Sequence, residues 1–140
     1  MPPSCGEERD EWPGTACYCG RTGCIETFLS GPGLSRSYAE LCGRQTDAVE
    51  IAARASAGEG HARRALDRYE ARMARALASI INVIDPDVIV LGGGLSNIQQ
   101  LYEHVPALWG PFVFSDRADT PIVRAKHGDS SGVRGAAWLW

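Results

Sequence analysis

The sequence predicts an α/β protein, and three stretches carry that reading. From Gly60 to Ile84, the residues Ala65, Tyr69, Met73, Ala76, Leu77, Ile80, Ile81 and Ile84 recur at three- and four-residue steps. That spacing is the core-facing stripe of one long helix. Val88 to Leu91 is a continuous apolar run, the pattern of a strand buried on both faces. "IVRA" at 122–125 is a second short strand. A helical pattern separates the two strands, so they are expected to run parallel.

The other elements come in chain order. Residues 1–16 are acidic, contain Pro2, Pro3 and Pro13, and show no periodicity. They read as an extended lead-in, the remnant of an upstream loop, ahead of a domain at 17–140. Ile25 to Leu29 reads as a short helix broken by "SGPG" at 30–33. Leu34 to Cys42 forms the next helix, ended by Gly43. Thr46 caps a helix from Asp47 to about Ala57, with Glu50 at the capping-box position. On the long helix, Arg63, Arg64, Arg68, Arg72 and Arg75 lie mostly off the apolar stripe. They read as a solvated face. A surface for an acidic partner is the alternative, diluted by Glu59, Asp67 and Glu70. Asp85-Pro86 stops the helix. After the strand and its glycines, Ser96 or Asn97 caps a helix through about Leu108. Residues 110–121 form a loop, and the chain closes on a turn and a small-residue helix. There is no internal repeat.

Composition narrows the partners. Hydrophobic residues make up 44% and charged residues 22%, with a net charge of −3. These are the proportions of an ordinary globular domain, with no basic arm for a nucleic acid. No apolar run reaches the roughly 20 residues of a membrane span. The N-terminus has no apolar signal core, so the chain reads as cytoplasmic. In a reducing compartment the five cysteines point to metal or catalysis rather than disulfides.

Three of those cysteines form Cys17-x-Cys19-x4-Cys24. This supplies three soft ligands to one tetrahedral ion, and zinc suits them. Gly20 and Gly23 let the backbone wrap tightly. The fourth ligand is left open among Cys5, His61, His104 and His127, and a redox-labile thiol cluster is the alternative reading. Cys42 reads as core. The turn "VLGGGLS" at 90–96 lets a nucleotide approach the backbone at Gly92, Gly93 and Gly94, or is simply a tight strand–helix connection. It is neither a dinucleotide fingerprint nor a P-loop. Glu26 could accept hydrogen bonds from sugar hydroxyls, or serve as a helix N-terminal carboxylate.

Taken together, these motifs resemble a known family. "CYCGRTGCIETFLSGPGL" is similar to the signature of the ROK family of sugar kinases and sugar-responsive repressors. "NVIDPDVIVLGGGLSN" resembles its second glycine-rich segment, and "KHGDSSGVRGAAWLW" its C-terminal turn and helix as found in bacterial fructokinases of the family. The resemblance runs from about Trp12 to Trp140. It implies the C-terminal half of an actin-like, ribonuclease-H-like fold, and sugar phosphorylation by ATP with magnesium. It implies structural zinc on Cys17, Cys19 and Cys24, sugar contact by Glu26, and adenosine-side glycines at Gly92, Gly93 and Gly94. It also implies a homodimer. The family's Asp-x-Gly-Gly phosphate loop, its catalytic aspartate and its Gly-His zinc ligand have no counterpart in these residues. "PPS" at 2–4 resembles the proline-containing run on the C-terminal side of the family's Gly-His pair. The expectation is therefore a fructokinase half that is inactive alone. Another hexose or N-acetylhexosamine kinase, or the effector domain of a repressor, is the alternative. Asp85, Asp87 and Asp129 are the substitutes for the missing base, and each reads as structural.

Overall fold

The computed structural model describes residues 11–128 and 130–139. Cys5, the "PPS" stretch and Asp129 lie outside the described residues. Among the described residues five helices and two strands are formed: α1 (Gly31–Cys42), α2 (Ala48–Ser56), α3 (Gly60–Ile84), β1 (Ile89–Leu91), α4 (Gln100–Trp109), β2 (Ile122–Arg124) and α5 (Ser131–Ala137). The chain is α/β, and β1 and β2 pair in parallel with Ile89 opposite Ile122 and Val90 opposite Val123.

Helix α3 is the centre. Helices α1, α2 and α4 all pack on it. Its buried seam holds Ala62, Ala65, Ala74 and Ala78, small residues that let the neighbouring helices come close. The larger Leu66, Tyr69, Met73 and Ile81 fill the space between. Leu34 and Tyr38 of α1, Ile51 of α2, and Leu101, Val105 and Trp109 of α4 complete the core. Tyr38 is fully buried, and its hydroxyl donates to Glu59 Oε1 at 2.5 Å. That bond ties α1 to the residue just before α3. Glu70 is also buried. It accepts from Arg63 Nη2 at 2.8 Å and lies 3.0 Å from His104 Nδ1, joining α3 to α4.

Several boundaries differ from the sequence reading, each for a local reason. The "SGPG" stretch starts α1 rather than breaking a helix. Ser30 is its N-cap, with Oγ accepting from Gly33 N at 3.1 Å, and Pro32 sits in the first turn where a missing N–H costs nothing. The element ahead of it is only a 3₁₀ turn, Ile25–Thr27. Asp47, not Thr46, caps α2, accepting from Glu50 N at 2.8 Å. Between the glycines and α4 lies a 3₁₀ turn, Gly94–Asn97, so neither Ser96 nor Asn97 caps that helix; Ser96 Oγ instead donates to Gly93 O at 2.6 Å.

Burial differs too. The seam of α3 runs through Ala62, Ala74 and Ala78, whereas Ile80 and Ile84 are exposed. Strand β1 is not covered on both faces: Val88 and Val90 are exposed, and so is Val123 beside Val90. Alternate strand residues face opposite ways, and it is Ile89, Leu91 and Ile122 that turn to the core. The α3 arginines are not a plain solvated face. Arg63, Arg68, Arg72 and Arg75 are engaged in ion pairs with acidic residues.

Leu66→Ala should lower unfolding free energy by about 3 kcal/mol, the cost of deleting a fully buried leucine. Val83→Ala, at 84% exposure, should stay within about 0.5 kcal/mol. Urea denaturation distinguishes them; equal midpoints for the two variants would contradict the packing described.

Candidate functional site

Residues 14–24 form a tight hairpin. Ala16 and Thr22 make an isolated antiparallel bridge. Cys17 N donates to Arg21 O at 2.8 Å, Gly20 N to Cys17 O at 3.0 Å, and Gly23 N to Thr15 O at 2.9 Å. The stems nearly touch: a Cβ on Gly14 would lie 2.4 Å from Gly23 Cα. Both glycines have left-handed φ, +83° and +70°. No other residue type fits such a crossing without strain.

The hairpin gathers the three predicted thiols. The sulfurs of Cys17, Cys19 and Cys24 all lie within 4.8 Å of one another, and Cys19 Sγ is 3.5 Å from Cys24 Sγ. A tetrahedral zinc with bonds of about 2.3 Å separates its thiolates by about 3.8 Å. The set therefore has the size for one ion, with one coordination position to be filled. Among the described residues no histidine joins the three sulfurs. His104, one of the candidates, is engaged with Glu70 instead. Cys42 stands apart in α1, half-buried, its thiol donating to Tyr38 O at 3.4 Å.

The thiols are not equivalent. The Arg21 backbone N–H holds the Cys19 thiol below its usual range, and the hydrogen bond from Cys24 acts the same way. Cys24 is pushed up to about 11, chiefly by that bond to Cys19. Cys19 is thus the readier of the two to ionise, and Cys24 the readier to keep its proton.

Glu26 leaves the hairpin on the 3₁₀ turn, two residues after Cys24. Thr27 fixes that turn, its hydroxyl donating to Cys24 O at 2.6 Å. Gly33 lets α1 begin directly against it: a Cβ there would lie 2.7 Å from the carbonyl oxygens of Thr27 and Phe28. The Glu26 carboxylate is exposed, and its negative charge beside the Tyr18 hydroxyl raises the tyrosine's pKa. Tyr18 is a neighbour that sequence reasoning missed; its place between two cysteines was the only signal.

Two clefts meet beside this turn. One, about 220 Å³, is lined by Tyr18, Glu26, Ser30, Pro32 and Arg36. The other, about 860 Å³, has Gly92, Gly93 and Gly94 on one wall and Gln45 to Val49 on the other. Ser30 and Pro32 line both. The N-terminus of α1 is therefore the ridge between the Glu26 cleft and the glycine cleft. Gly93 has a φ of +77°, and no atom would oppose a Cβ on any of the three glycines. All three stand open to the cleft. The wall at Gln45–Val49 was read in the sequence only as a helix cap. Asp85 and Asp87 line neither cleft. Asp85 is the left-handed C-cap of α3, at φ 48°.

The chain belongs to the ROK family, whose sequence model matches residues 7–140. It is 39% identical over 130 residues to the N-acetyl-D-glucosamine kinase of Vibrio atlanticus, covering 93% of this chain and 43% of that protein. It is 43% identical over 123 residues to the N-acetyl-D-glucosamine kinase of Photobacterium profundum, covering 88% and 41%. The crystal structure of the ROK hexokinase from Thermus thermophilus superposes with a TM-score of 0.74 at 30% identity, over 90% of this chain and 44% of that one. The chain thus spans about two fifths of the length of the curated relatives it matches. None of the described helices is long and apolar enough to cross a membrane.

In the metal-free, reduced chain, iodoacetamide should modify Cys19 before Cys24. Raising the pH from 6 to 8 should speed Cys19 first, because its thiolate forms at the lower pH. Peptide mass spectrometry reads the order; faster modification of Cys24 would contradict the assigned donor and acceptor.

Proposed function

We propose that this chain is the sugar- and adenosine-binding portion, the C-terminal half, of an ATP-dependent hexose kinase. One observation carries the reading: the Glu26 cleft and the glycine cleft share the ridge Ser30–Pro32, so a sugar and a nucleotide could lie end to end. Glu26 would accept from sugar hydroxyls, its exposed carboxylate lining the cleft beside Tyr18. Gly92, Gly93 and Gly94 would let the adenosine side of ATP approach the backbone. Cys17, Cys19 and Cys24 would hold a structural zinc that stiffens the segment leading into Glu26.

The names of the relatives favour N-acetyl-D-glucosamine as the sugar. Fructose rests on the closing segment "KHGDSSGVRGAAWLW" and is the second substrate to assay. Magnesium would accompany ATP and neutralise its phosphates. The general base is not among these residues. Of the carboxylates lining the two clefts, Asp47 is occupied as the α2 cap, and Glu26 is assigned to sugar. Exposed Val83, Ile84, Val90 and Phe114 are apolar surface that a homodimer or the rest of the kinase would cover.

Two measurements test this. The 140-residue chain alone should release no sugar-dependent ADP. A longer form supplying the part of the relatives that this chain does not cover should turn over N-acetyl-D-glucosamine faster than fructose. In that form Glu26→Gln should lower kcat/KM for sugar by about tenfold or more, the worth of a charge-assisted hydrogen bond. Unchanged kcat and KM in the glutamine variant would remove Glu26 from the sugar site. Turnover by the short chain would overturn the division of labour.

A further inference from the structure

We propose that Arg72 and Glu11 form an anchor that positions the thiol hairpin, and Glu26 with it, on α3. Glu11 lies just before the hairpin and Phe28 just after the turn that carries Glu26. Both ends of the segment close on the same guanidinium. Arg72 Nε donates to Glu11 Oε1 at 3.0 Å, and the guanidinium carbon stands 4.8 Å above the centre of the Phe28 ring. Arg75 Nη2 donates to the same carboxylate oxygen. The Arg72 side chain is only 11% exposed, so this is not a solvated surface pair of the kind that contributes little.

The anchor matters because little else fixes the hairpin to the helix. A hollow of about 360 Å³ lies between them, bounded by Gly23, Ile25 and Leu29 on one side and Ala76 and Ser79 on the other. Ile25 is 63% exposed rather than packed. Leu29, past the turn, packs against the core, but residues 14–24 bury no hydrophobic side chain that would determine where the hairpin sits. A shared cation gripping both ends shortens the effective loop and limits the geometries the three sulfurs can sample. Arg36 of α1 adds a bond from its guanidinium to Thr27 O, but touches only the exit side. Arg72 and Glu11 are thus positioning residues for a metal site they do not touch.

The metal arm rests on the reading of Cys17, Cys19 and Cys24 as a zinc site, so the test has one arm that needs no metal. Arg21 is an exposed trypsin site within the hairpin. In the reduced chain with chelator present, Glu11→Gln and Arg72→Ala should each raise the cleavage rate at Arg21 about fivefold, with the thermal melt of the helices unchanged in Glu11→Gln. In the second arm, competition with a chromophoric chelator should show zinc affinity falling about tenfold in both variants. Cobalt substitution should show a weakened thiolate charge-transfer band, and Arg72→Lys should recover only part of the affinity because it keeps the charge and loses the planar contact with Phe28. The double variant should be no worse than either single one. Unchanged cleavage at Arg21 in Glu11→Gln overturns the anchor. Faster cleavage with unchanged zinc affinity overturns its role toward the metal. An unaltered chain that binds no zinc overturns the site reading, and that failure is visible separately from the cleavage result.

Discussion

Close approach to α3 is the constraint on which the rest of the structure depends. The helices α1, α2 and α4 each bury their apolar residues against it, so its seam must be small where they cross and large between the crossings. Alanines at 62, 65, 74 and 78 meet the first need, and Leu66, Tyr69, Met73 and Ile81 the second. A polar group on that seam is tolerated only when fully bonded, and Glu70 is, with Arg63 on one side and His104 on the other. The same helix then carries Arg72 and Arg75 away from the seam, toward the thiol hairpin. One element sets both the core and the position of the loop.

Glycines make the connection from that core to the site. The crossing of Gly14 and Gly23 closes the hairpin, and Gly33 lets α1 start against the turn bearing Glu26. Each position is closed to a side chain by a backbone atom, which cannot move aside as a flexible side chain can. The glycines at 92–94 differ. Nothing opposes a Cβ there, so packing does not require them. Gly93 is favoured by its own backbone, with φ at +77°, whereas Gly92 and Gly94 border the cleft with open space beside them. That contrast separates glycines closed off by backbone atoms from glycines that stand open at a cleft.

Much of this was legible in the sequence where local chemistry decides the outcome. The bounds of α3, the parallel strand pair and the gathering of three thiols came from periodicity, crossover length and spacing. The features that stayed hidden depend on contacts between distant residues. The "SGPG" stretch looks like a breaker because Gly and Pro usually are, yet Ser30 caps and Pro32 occupies a position where its missing donor is harmless. His104 was open as a zinc ligand until the fold set it against Glu70. Tyr18 and Glu11 carried no motif at all. Burial on both faces of β1 was inferred from an apolar run, and a run of that kind cannot say whether a second layer is present.

The open face of β1 bears on the chemistry these residues can perform. A two-stranded sheet covered on one side is marginal by itself, and here Val90 and Val123 remain open beside exposed Val83 and Ile84. The fold matches about two fifths of its relatives, so further layers in those proteins have room to cover this surface. The proposed function divides the chemistry in the same manner as the packing. Binding needs only a ridge with a cleft on each side, and this chain has both. Phosphoryl transfer needs in addition a base held in line with the phosphate; the carboxylates lining the clefts are Asp47, held as the α2 cap, and Glu26, which the proposed function gives to the sugar. On the proposed function, the part of the relatives that this chain does not cover would supply both the covering layer and the base.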